Sequence, residues 1–173
     1  VYRGQTLNAA WFGDSCDIVK RYFVGVLKDA GYRVYVDPMF TGDSRGIEKP
    51  FHRFIGAPKF DGKKSPGDRT ALLLDPDTGI GRRETEQHVT IDDILRELER
   101  HDVVFSFDQS FSRKQSPKDQ MKEKLGRITA TGRFAFYYDS HARFLFVARA
   151  RNDIKLVADA LRASGLPEGR LVR

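Results

Sequence analysis

A single cysteine, Cys16, excludes an internal disulfide and any cysteine-rich zinc site. Reducing surroundings, and so a cytoplasmic setting, are the expectation for such a chain. No apolar run approaches the roughly 20 residues that would span a bilayer, and the N-terminus lacks a signal-peptide pattern, so no membrane partner is expected. Four histidines, His52, His88, His101 and His141, show no metal-ligand spacing, and each reads as a surface or structural residue. His141 is the one worth testing, because it neighbours Asp139. There is no Walker A sequence, and Gly79-Ile-Gly81 is a dinucleotide fingerprint without its third glycine. Internal repeats and low-complexity segments are also missing.

What is present is ordinary in amount and informative in order. A chain of 173 residues fits one α/β domain, 1–173, with a sizeable core. Its formal charge of +6 favours anionic partners, namely nucleic acid or phosphorylated small molecules. The basic residues cluster: Lys59, Lys63, Lys64 and Arg69 in one loop, Arg82 and Arg83 after a glycine turn, and Arg113, Lys114 and Lys118 at the start of a helix.

Asp14 or Ser15 caps a first helix whose apolar spacing runs Ile18, Val19, Tyr22, Phe23, Val26, Leu27 and Ala30, with Gly31 closing it. Cys16 falls inside it as a packed or half-exposed thiol. A strand follows over 32–36 and stops at Asp37-Pro38. Residues 39–69 read as a long irregular insertion with one short helix around Phe51, Phe54 and Ile55. Buried strands then read over 71–74 and 103–107, separated by a helix that Thr90 and Asp93 open as a capping box. Ser116, Pro117 and Asp119 start the next helix, whose inner stripe is Met121, Leu125 and Ile128. Strands 134–138 and 144–148 stand too close for a parallel crossover and predict an antiparallel hairpin. A final helix carries Ile154, Val157, Ala158 and Leu161. The expected fold is therefore three-layer and Rossmann-like, with a mostly parallel sheet and a C-terminal antiparallel hairpin whose last strand forms an edge. Phe105, Phe107, Phe134, Phe136 and Phe144 belong to its core.

Each predicted strand but the last runs into aspartate: Asp37, Asp75 with Asp77, Asp108, and Asp139. Ligands of parallel α/β sheets bind outside the carboxyl ends of strands. Carboxylates brought together there would repel, and a divalent cation would relieve them; Mg²⁺ suits such oxygen ligands. Aspartate is equally a turn former and a helix cap, so Asp37 or Asp108 taken singly reads as a turn residue. Asp139, at a hairpin tip, reads the same way. Asp75 and Asp77 together stand evenly between the two readings.

Asp75-Pro-Asp-Thr-Gly-Ile80 after an apolar strand resembles the opening motif of haloacid-dehalogenase-like phosphohydrolases. The resemblance implies Asp75 as nucleophile and Asp77 as acid/base, Ser106 or Ser110 as the second-strand hydroxyl, Lys118 or Lys122 as the balancing lysine, and Asp139 as a late metal ligand. Thr78 stands one place early for that motif, and the late acidic motif has one aspartate where the family has two. The same strand also resembles the Asp-Pro-Pro-aromatic motif of amino-group methyltransferases, with Asp77 and Thr78 at the last two places and no Gly-rich cofactor loop. A closer similarity, over roughly Trp11 to Ala148, is to an uncharacterised bacterial α/β family. It pairs Gly13-Asp14 and a helix with strand–Asp-Pro-Asp-[Asn/Thr]-Gly and a later aromatic hairpin.

The leading expectation is a metal-dependent phosphoesterase, a nuclease or nucleotide phosphohydrolase. Asp75, Asp77 and Asp108 are its catalytic acids, Asp37, Asp75 and Asp77 hold Mg²⁺, and Arg82, Arg83, Lys114 and Lys118 contact substrate phosphate. The alternative is a non-enzymatic nucleic-acid-binding or assembly module that uses the basic loops alone; a degenerate methyltransferase-like domain comes third.

Overall fold

The computed structural model describes residues 12–39, 46–63, 67–83 and 88–173. Lys64 of the expected basic loop, and Trp11 where the family similarity begins, lie outside them.

Asp14 caps α1 (Ser15–Asp29), its carboxylate accepting the Asp17 N–H at 3.0 Å. After β1 (Arg33–Asp37), the expected short helix forms as α2 (Glu48–Ile55), anchored by buried Phe51 and Ile55 and ended by Gly56 at φ +79°. Next comes β2 (Thr70–Leu74), buried at every position, then two minimal strands, β3 (Gly79–Ile80) and β4 (His88–Val89). Thr90 and Asp93 close a reciprocal capping box at α3 (Ile91–Glu97). β5 (Val103–Phe107) leads to α4 (Pro117–Thr129), which has Ser116 as N-cap and proline in its first turn. The antiparallel pair β6 (Phe134–Tyr138) and β7 (Phe144–Ala148) follows, then α5 (Arg151–Ala163), a 3₁₀ turn over 168–170 and β8 (Leu171–Val172).

Among the described residues, six strands form one mixed sheet in the order β1-β2-β5-β7-β6-β8, and β3 pairs with β4 separately. β1, β2 and β5 run parallel, with Val36 opposite Leu73 and Leu73 opposite Phe105. β7 then runs antiparallel to both β5 and β6. The last long strand is thus interior, where an edge was expected. The reason is burial: Phe144, Phe146 and Ala148 pack into one core cluster and Leu145 and Val147 into another, and an edge strand that apolar would invite association. Its uninterrupted apolar run carried that signal.

Alternation along the strands divides the core in two. Val34, Val36, Leu73, Phe105 and Phe146 pack with α1, α2 and α5, while Tyr35, Leu72, Val104 and Leu145 pack with α3 and α4. Phe23 of α1 is central to the first, edge-on to Phe144, Phe146 and Tyr138 with centroids 4.8–5.5 Å away. Of the phenylalanines assigned to the core, only Phe134 is half-exposed, under the Arg151 guanidinium.

The inner face of α1 is turned from the one expected. Ile18 and Tyr22 lie outside, 57% and 39% exposed, and Asp17 and Lys20 occupy the buried face with Phe23, Val24 and Leu27.

Candidate functional site

β1, β2 and β5 are neighbours, so Asp37, Asp75 and Asp108 do stand at adjacent strand ends, and the Asp75 N–H donates to the Asp37 carbonyl at 3.0 Å. Their side chains have separate partners. Asp37 is exposed and accepts the Met39 N–H at 3.2 Å, a local turn.

Asp75 is buried, with the ammonium of Lys20 2.8 Å from its Oδ1. The same ammonium donates to Asp17 Oδ1 at 2.8 Å, and Asp17 Oδ2 accepts the Gly13 N–H at 2.9 Å. One lysine therefore serves two buried carboxylates. Burial lifts the Asp75 carboxyl to about 6; Lys20 opposes this, while Asp17 and Asp77 add to it. For Lys20, burial acts to lower the ammonium pKa, but Asp75 and Asp17 outweigh it and hold the group above the usual lysine range. Burial first, then Asp14, pushes the neighbouring Cys16 thiol up, away from the thiolate a nucleophile needs.

Asp108 is fully buried and fully bonded. Its Oδ1 accepts the Ile80 N–H at 3.0 Å, the Ser110 N–H at 3.1 Å and the Ser110 hydroxyl at 2.7 Å. Its Oδ2 accepts Lys124 Nζ and the Tyr137 hydroxyl, both at 2.7 Å. Burial, with Asp108 beside it, holds the Tyr137 phenol well above its usual value. The Asp-Pro-Asp-Thr-Gly turn packs directly on this carboxylate. A Cβ on Gly79, at φ +107°, would stand 2.5 Å from Asp108 Oδ1, so only glycine fits.

On the α4 side of this network lies a cleft of about 500 Å³. Ile80 and Ile91 give it an apolar part, and Ser110 and Ser112 give it hydroxyls. Arg82, Lys114, Lys124 and Arg127 line it, and Glu123 is the one carboxylate among the described lining residues. Gln120, Glu123, Lys124 and Arg127 recur at helical spacing, so one face of α4 forms the wall. Buried Gln120 holds the opposing loop: its amide accepts the Ser112 N–H at 2.8 Å and donates to the Ser112 and Gln115 carbonyls at 2.9 and 3.0 Å.

Of the expected phosphate contacts, Arg82 and Lys114 line the cleft; Arg83 and Lys118 are exposed and outside its lining. Of the expected acids, Asp108 lies behind the cleft wall, bonded to Ser110 and Lys124, and neither Asp75 nor Asp77 lines it. Asp139 pairs with Arg143 at 2.9 Å, and His141 is exposed. The lysine that balances Asp108 is Lys124, with Lys118 and Lys122 exposed, and Ser110 is the hydroxyl beside it. Among the described residues, no group of three or more His, Cys, Asp or Glu stands close enough to hold a metal ion. The bonding explains this: Asp75 faces an ammonium, Asp37 its own turn, and Asp108 five donors.

Lys20 and Lys124 were not singled out from the sequence, although a signal existed. Lys20 stands three and four residues before Phe23 and Val24, and Lys124 between Met121 and Leu125, each on the apolar stripe of its helix. A lysine there must have a buried partner. Comparison of the chain with family models, curated proteins and solved structures returned no match.

Proposed function

We propose that this chain is a binding module for phosphorylated ligands, a nucleotide or nucleic acid, on a three-layer, Rossmann-like fold with a C-terminal antiparallel hairpin. A cytoplasmic setting belongs to the same reading. One observation carries it: among the described residues, four cationic side chains, from α4, the loop after β5 and the turn after β3, converge on one cleft with a single carboxylate beside them. Phosphate oxygens would accept from the cations and from the Ser112 hydroxyl. The strand-end aspartates then act as structure, with Asp108 setting Lys124 and Ser110 in the cleft wall.

Binding of a labelled single-stranded oligonucleotide at several salt concentrations tests this. Affinity should fall with salt, and removal of one phosphate contact by Lys114→Gln or Arg127→Gln should flatten the logarithmic slope by about 0.7. Salt-insensitive binding, or variants that bind as the parent does, would contradict the reading.

A second reading is a Mg²⁺-dependent phosphoesterase with Asp75 and Asp77 as its acids. In its favour, the Asp75 carboxyl titrates at about 6, within the range of a general acid, and Asp77 is near enough to raise it. It requires Asp75 to leave Lys20 when the ion enters.

A further inference from the structure

The charges lining the cleft are unequally occupied. The Arg82 guanidinium stands 3.3 Å from Glu123, and Lys124 lies against buried Asp108 at 2.7 Å. Lys114 and Arg127, both exposed, form no ion pair among the described residues. Among the described residues, these two positive charges of the concave site have no ion-pair partner. An internal phosphodiester brings one negative charge, whereas a phosphate monoester brings about 1.5 to 2 at neutral pH.

Size points the same way. A cleft of about 500 Å³ lies within the range of small-ligand sites, roughly 300–1,000 Å³. It is far larger than one phosphate group needs. Buried Ile80 and Ile91 back it, and Ser112 and Gln115 add polar groups to its lining.

We infer that the cleft takes a phosphate monoester borne on a group of nucleoside size, as a nucleoside 5′-monophosphate or the 5′-phosphorylated end of a strand. Lys114 and Arg127 match its dianion. This rests on the phosphate-binding reading above and narrows it.

The test is titration of the full chain by calorimetry with adenosine 5′-monophosphate, 3′,5′-cyclic adenosine monophosphate, inorganic phosphate, and one oligonucleotide with and without a 5′-phosphate. The first two probes share base and sugar and differ in phosphate charge. The 5′-monophosphate should bind at least roughly fivefold more tightly than the cyclic diester, the margin one extra charge gives about 4 Å from a cation in high dielectric. Arg127→Gln and Lys114→Gln should each remove most of that margin, and inorganic phosphate should bind more weakly than the nucleotide. Tighter binding of the 5′-phosphorylated strand than of its 5′-hydroxyl twin would assign the ligand to a strand end; preference for the free nucleotide would assign it to the mononucleotide, and both support the inference. Equal affinity for the monoester and the cyclic diester, lost together in the two variants, would overturn the monoester preference and leave phosphate binding standing. Inorganic phosphate binding as well as the nucleotide would overturn the nucleoside-sized part. Absence of binding by every probe, or variants without effect, would overturn both readings.

Discussion

Asp75 and Asp108 end adjacent strands of one sheet, and each is buried against a lysine that its helix places on the inner stripe. The likeness stops there. Lys20 is divided between Asp75 and Asp17, and burial lifts the Asp75 carboxyl to about 6. Asp108 has Lys124 without a second carboxylate in the pair, and adds a tyrosine hydroxyl, a serine hydroxyl and two backbone N–H groups. One is an under-supplied carboxylate and the other a saturated one. The same local pattern, an apolar strand running into aspartate, thus produces two electrostatic states. What separates them is the number of donors that distant parts of the chain deliver.

The comparison can be broken by removing each lysine. Lys20→Met leaves two buried carboxylates without their shared cation and should cost about 3–5 kcal/mol at pH 7–8. Lys124→Met leaves Asp108 four other donors, so its cost should be smaller, about 1–3 kcal/mol. Urea unfolding of both variants beside the parent measures this. Equal losses would mean that donor count does not distinguish the two sites.

Acidification sharpens it next. A carboxyl raised to about 6 keeps its proton in the folded state at pH values where the unfolded chain has released it. Its contribution to stability is therefore full at and below about pH 4, falls as pH rises through 4 to 6, and is level above that. The swing is on the order of 3 kcal/mol. Asp75→Asn should remove that limb from the stability–pH curve and leave the other acid-side changes in place. Unchanged curvature between pH 4 and 6 in the variant would place the titration elsewhere.

The smallest expected effect comes from the saturated site. Tyr137→Phe removes one donor to Asp108 without adding volume and leaves Lys124 on the same oxygen, so it should cost about 0.5–1.5 kcal/mol, the net worth of one hydrogen bond. The cleft should keep its ligand, because Lys124 and Ser110 still hold the carboxylate. Loss of binding with intact folding would show that the tyrosine sets the cleft as well.

Most of the fold was legible because its signals are local. The caps at Asp14, Thr90 and Ser116, the glycine stops and the apolar runs each specify an element within a few residues of themselves. The short helix inside 39–69 was legible for the same reason. The position of β7 was not, since strand order is a choice among partners far apart in sequence. Nor were β3, β4 and β8, whose two residues each carry no period.

The site divides in the same way. Asp75 and Asp108 could be found as residues but not as states, because their partners stand on helices 55 and 16 positions away. The cleft was half visible, through Arg82 and Lys114 in loops. Arg127 and Lys124 were hidden within a helix whose charged residues looked alike until packing chose which face met the loop after β5.

The claim at the centre of this account is that the cleft cations, and not the strand-end carboxylates, are the binding groups. Thermal melting of the full chain with adenosine 5′-monophosphate and, separately, with MgCl₂ tests it most directly, since a ligand of the folded state raises the melting temperature by mass action. The account predicts a rise with the nucleotide in the absence of metal and no shift with MgCl₂ alone. A rise with MgCl₂ alone that Asp75→Asn abolishes would contradict it and return the strand-end acids to the role of metal ligands.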